Sequence, residues 1–321
     1  MLSLQDTSGE VDRDMYTSLM NLMGMMFLTI LAGALLRRKG IITDEGKKVL
    51  TDLILLFILP CNIIKSYMMS IENGFWTTFF IILAVASGVQ ALSLILAHLL
   101  YRGMNESEKQ VYQYGTVCSN AGFLGLPVTD GVFGTTGLLY ATVFLVPQRI
   151  VMWTAGAAFF QKGGSNWQSY KKILTHVCMI ATYIGIVVML FQIKFPPVIE
   201  NTITKVSNAN TALTMIYIGS VVGDVDFHGL ITKNQIYFAL IRLFLIPMMV
   251  YFISSSIGLK PLVVGIATLL SAMPCGSTTP LLAQKYGADV IAGAKAVIFT
   301  TVLSLITLPL WSMFLLSRLQ G

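Results

Sequence analysis

Two short stretches of this chain set polar side chains beside helix-breaking residues inside otherwise apolar sequence. The first reads Cys118-Ser119-Asn120-Ala121-Gly122-Phe123-Leu124-Gly125-Leu126-Pro127, and the second Met273-Pro274-Cys275-Gly276-Ser277-Thr278-Thr279-Pro280. Glycine permits unhelical dihedrals, while proline lacks a donor and clashes with the preceding turn. A break of this kind exposes N–H groups at the restarted helix, where partial positive charge favours an anion. Asn120 is the first candidate for binding, since an amide beside a break can cap loose backbone and donate to a carboxylate. An ordinary helix–helix hydrogen bond is its alternative role. Ser119, Gly122, Pro127, Gly276, Ser277, Thr278 and Pro280 complete the two stretches as candidates. The hydroxyls, with that of Thr279, can equally bond back to their own helices.

Charged residues inside apolar runs are few, and each is costly in hydrocarbon. Arg149 could meet an anionic substrate with its guanidinium fork, or pair structurally with Asp52, Asp130 or a backbone carbonyl. Asp52 is the best candidate for coupling to an ion. Lys295 could meet the substrate or snorkel outward, and Arg242 reads as an interfacial anchor. His98, His176 and His228 are scattered without metal-ligand spacing. The four cysteines Cys61, Cys118, Cys178 and Cys275 form no CxxC and read as small packed residues. No cofactor is implied, and no HExxH, GxSxG or paired aspartates suggest an enzyme.

These residues must be positioned by membrane helices. Of 321 residues, 55% are hydrophobic and 11% charged, against roughly 25% charged in a soluble domain. The apolar residues also run long, as in 19–36 and 236–259, and a run of about 18 or more is a spanning candidate. Ten spans are expected, near 18–36, 49–69, 75–101, 109–129, 134–160, 171–193, 202–223, 234–258, 261–283 and 288–317. The net charge of +6 then reflects loop charge and membrane lipid rather than nucleic acid. On one side lie Arg37, Arg38, Lys39, Lys47, Lys48, Arg102, Lys109, Lys162, Lys171, Lys172, Lys233 and Lys285; on the other, Arg13, Lys65, Lys194, Lys205, Lys260 and Arg318. The richer side should be cytoplasmic. Both termini, including the acidic 1–17 segment, are then extracytoplasmic in a multi-pass protein of the cell membrane.

The two broken stretches correspond in position. Each closes on a proline, Pro127 or Pro280, and a glycine follows seven residues later, Gly134 or Gly287. The chain therefore reads as a five-helix half over 18–160, a cytoplasmic linker over 161–170, and a second half over 171–317. Five is odd, so the halves insert in opposite senses. The fold expected is all-α, with two inverted repeats whose broken fourth and ninth helices cross. Inverted repeats with midplane breaks are a signature of secondary transporters. The reading is a carrier of a small organic anion working by alternating access, with an anion channel or a transporter-derived membrane sensor as alternatives.

The stretch Cys118–Pro127 also resembles the fourth-helix crossover of the auxin efflux carrier family, which includes the plant PIN-type carriers and bacterial malate or malonate permeases. Leu59-Pro60, the run Ser207–Gly219, Pro147-Gln148-Arg149 and Trp153-Thr-Ala-Gly156 extend the likeness over most of the chain. The resemblance implies ten helices with crossed breaks, a homodimer, elevator-like movement and a carboxylate substrate near the crossover. It assigns Asn120, Pro127 and Pro280 to the site. Two features depart from it: Ala212 stands where the family's seventh helix carries proline, and only about ten residues, Gln161 to Tyr170, join the halves.

Overall fold

The computed structural model describes residues 21, 24–25, 27–68, 75–160, 175, 177–223 and 231–319. The expectations for the 1–17 segment, the 161–170 linker, His176 and His228 lie outside them. Every regular element among the described residues is a helix. Helix α1 covers 27–38 and α2 runs Asp44–Tyr67. Thr43 caps α2 by accepting from the Gly46 N–H at 3.1 Å, with Asp44 and Glu45 in the first turn. Then follow α3 (Phe75–Leu100), α4 (Glu106–Val117), α5 (Leu126–Val151), α6 (Val177–Phe191) and α7 (Pro197–Val222). A Thr232–Gln235 capping box opens α8 (Lys233–Ser256). The chain ends in α9 (Pro261–Ser271), α10 (Thr278–Tyr286) and α11 (Val290–Leu319).

Three of the four five-residue π-helical turns among the described residues stand just before a proline: Ile54–Ile58 before Pro60, Ala121–Gly125 before Pro127, and Ile241–Leu245 before Pro247. A proline ring clashes with the carbonyl four residues back, and a widened turn moves that carbonyl aside. In α8 the displaced carbonyl is that of Leu243, and Trp311 Nε1 donates to it at 3.0 Å.

Among the described residues, five helices are long and apolar enough to cross a membrane: Asp44–Tyr67, Trp76–Leu100, Thr136–Gly156, Lys233–Ser256 and Val290–Arg318; Val177–Phe191 and Pro261–Ser271 are shorter apolar helices. The expected spans 109–129 and 261–283 are not single rods. The first is α4, an extended step and a π turn, and the second is α9, a non-helical step and α10. Helix α9, at about 1.5 Å per residue, covers only about half of a 30 Å hydrocarbon layer. The 26 residues of α7 are long enough, but Asn201, Lys205, Asn208 and Asn210 dilute its hydropathy.

Packing is close where glycines remove side chains. Gly33 of α1 faces the backbone of Ile216, while Gly219 of α7 faces that of Ile30, so neither position has room for a Cβ. The second half of α2 packs on α6 and α7, α3 packs on α4 and α5, and α9 lies against α8, α5 and α11. Cys118, Cys178 and Cys275 are buried, and none of the four cysteines forms a disulfide. Large apolar side chains such as Leu28, Phe80, Phe191 and Ile306 face outward, as a lipid-facing surface requires.

Candidate functional site

Helix α4 ends at Val117, and Cys118 turns extended, with φ −107° and ψ 102°. Helix α9 ends at Ser271 and the chain restarts as α10 at Thr278. The two interruptions meet as an antiparallel bridge between Ser119 and Cys275. Asn120 N donates to the Pro274 carbonyl at 2.8 Å and Gly276 N to the Cys118 carbonyl at 2.9 Å. Backbone inside a membrane must satisfy its own polar groups, so each break supplies partners for the other. Neighbouring helices hold the rest. Cys275 N donates to Thr300 Oγ1 at 3.0 Å, and Gln148 Nε2 to the Ser119 carbonyl at 2.8 Å. A Cβ on Gly276 would lie 2.8 Å from Cys118 Sγ and 2.9 Å from the Cys118 carbonyl oxygen, so this crossing needs glycine there.

Beside the crossing is a cavity of about 50 Å³, counted as space open to the centre of a water molecule, enough for several waters or a small polar group. Seven expected residues line it together: Ser119, Asn120, Gly122, Arg149, Gly276, Ser277 and Thr278. Asn120 is 2% exposed, and neither its Oδ1 nor its Nδ2 bonds another atom of the described residues. A buried amide without partners costs on the order of 1–3 kcal/mol. The expected helix–helix hydrogen bond is therefore not what holds this side chain.

The family model for the membrane transport protein family matches residues 17–175 and 167–312, nearly the whole chain. The chain belongs to the membrane transport protein family. This is the auxin efflux carrier-like family that the crossover motif resembles, a family of transporters rather than enzymes. An uncharacterized transporter of Methanothermobacter thermautotrophicus is 24% identical over 293 residues, covering 90% of this chain and 96% of that protein. Another, from Methanocaldococcus jannaschii, is 22% identical over 312 residues, covering 93% and 99%. The protein is a multi-pass membrane transporter.

In this transporter Arg149 is 7% exposed. Its Nη1 donates to Ser66 Oγ, and its guanidinium carbon lies 4.9 Å from the centre of the Tyr67 ring. The pairings expected with Asp52, Asp130 or a carbonyl are replaced by a hydroxyl and an aromatic face, both from α2. Asp52 is exposed in α2 and does not line the cavity. Pro280 is buried at the start of α10, with its carbonyl accepting from Tyr217 Oη at 3.2 Å. Pro127 stands in the first turn of α5. Pro280 is not among the residues that line the cavity; both prolines stand at helix starts. Thr279 takes the alternative role expected for a hydroxyl, donating to the Gly276 carbonyl at 2.7 Å.

Arg242 corrects an expectation. It is 3% exposed rather than interfacial, and its Nη1 donates to the Thr116 carbonyl at 3.3 Å. The last carbonyls of a helix lack intrahelical partners, and the break after Val117 puts such a carbonyl deep in the protein, where a cation suits the negative helix end. Sequence reasoning also passed over Gln148 and Asn62, which both line the cavity. Each is a lone amide in an apolar helix next to a proline-containing turn, and that signal could have found them.

Proposed function

We propose that this transporter moves a small organic anion, a mono- or dicarboxylate of malate-like or auxin-like kind, across the cell membrane by alternating access. The observation that carries the reading is Asn120, a buried amide with both ends unpartnered in a cavity shared with Arg149. A carboxylate there accepts from the amide, from the guanidinium and from the Ser277 and Thr278 hydroxyls, and it faces the helix starts at Ala121 and Thr278. Charge-assisted hydrogen bonds of this sort are about twice as strong as neutral ones, which offsets the loss of the anion's hydration.

The wider architecture proposed is ten spans in two inverted five-helix repeats. The antiparallel meeting of the breaks supports it, as do Gly134 and Gly287, which adopt φ of 66° and 71° at matching distances after their prolines. Both termini are then extracytoplasmic and the protein is a homodimer. An elevator movement carries the crossed helices and α5 past α2, α6 and α7, a division that follows the packing of α2 on α6 and α7.

Counterflow in liposomes tests the reading. Labelled malate is offered outside against unlabelled malonate, citrate, auxin or malate inside. Transient accumulation that depends on the internal anion, and that collapses in Asn120→Ala, is expected. Absence of accumulation with every anion would overturn the anion assignment, and conductance without exchange would indicate a channel.

A further inference from the structure

One face of α2 carries Leu59, Asn62, Ile63, Ser66 and Tyr67, at the three- and four-residue spacing that stacks side chains on a helix surface. The first three line the central cavity, and Ser66 accepts from Arg149, which lines that cavity too. Tyr67 lines a second cavity of about 290 Å³, shared with Met68, Gln192, Lys194 and Glu200. The stripe therefore passes from one cavity to the other over about 12 Å of helix. The Arg149 guanidinium of the central cavity lies on the Tyr67 ring of the second, 4.9 Å from the ring centre.

The ring is held from the other side by glycine. A Cβ on Gly185 of α6 would collide with the Tyr67 ring, so the ring lies on bare backbone. It is fully buried. The ring stands as a plate between a helix backbone and a cation.

The geometry points to Tyr67 as the gate between the central cavity and the outer one, with Arg149 as its latch. This rests on the transport reading above. An anion in the central cavity competes with the ring for the Arg149 guanidinium. Its arrival loosens the latch, and the ring's departure from Gly185 opens the way toward Lys194. Occupancy and opening are thereby coupled through one side chain.

The test uses the full-length protein with its four cysteines replaced by serine and Asn62→Cys added as a reporter in the central cavity. Modification by a membrane-impermeant methanethiosulfonate is timed from each side of the membrane in intact cells and inside-out vesicles. With Tyr67 in place, the reporter is slow from the side that carries Lys194. Tyr67→Ala raises the rate from that side alone by about tenfold, the shift expected when a desolvated cation–π contact is lost. Tyr67→Phe, which keeps the ring, leaves it unchanged. Tyr67→Leu replaces Tyr67→Ala if the latter is not monodisperse in detergent. Equal rates in the ring-bearing and ringless proteins would overturn the gate, as would a reporter already fast with Tyr67 present. The readout needs no substrate, so it passes or fails independently of counterflow.

Discussion

Replacing Gly276 by alanine should damage this protein while the same change at Gly122 does not, although both glycines line the central cavity. At Gly276 the new Cβ would sit 2.9 Å from the Cys118 carbonyl oxygen. Ordinary contact begins at 3.4 Å, so the strands must part by 3.4 − 2.9, about 0.5 Å. That oxygen is also the acceptor for Gly276 N at 2.9 Å. Parting lengthens the bond to about 3.4 Å, outside the range of a good N–H···O hydrogen bond. The companion bond from Asn120 N to Pro274 is strained with it. One or two buried backbone bonds at about 1–3 kcal/mol each give roughly 1–6 kcal/mol. At about 2 °C per kcal/mol for a chain of this size, thermal unfolding in detergent should fall by about 2–12 °C. A Cβ on Gly122 meets nothing within 4 Å, and alanine is the better helix former by up to about 1 kcal/mol. Gly122→Ala should therefore unfold at or slightly above the parent temperature. Equal melting temperatures for the two variants would refute the claim that backbone contact at the crossing holds the breaks together.

Two further outcomes follow from the same geometry. Gln148→Leu keeps the side chain's bulk but strips the Ser119 carbonyl of its donor at 2.8 Å; a loss of about 1–3 kcal/mol is expected, read as a lower melting temperature in detergent. Arg149→Lys keeps the charge but not the planar fork that reaches Ser66 while lying on Tyr67; counterflow should slow by about tenfold or more, equivalent to roughly 1.4 kcal/mol, whereas a rate unchanged from the parent would show that point charge alone suffices.

The sequence by itself determined the membrane character, through long apolar runs with few charges, and it located both breaks, because glycine and proline act on their own backbone wherever they stand. It also marked Asn120, Ser277 and Arg149 as polar groups needing a reason to be in hydrocarbon. Contacts between residues far apart in the chain belong to the tertiary structure. Whether the Cys118 and Gly276 strands touch depends on two helices arriving antiparallel, and no local propensity encodes that. The misreading of Arg242 has the same origin. Its depth was judged from its place along α8, but its burial comes from the Thr116 carbonyl that the break in α4 leaves open. Gln148 and Asn62 escaped notice because an amide in a helix is ambiguous until its face is known. The face of α2 that joins two cavities through Tyr67 became visible only when α5 laid Arg149 across it and α6 offered Gly185 beneath it.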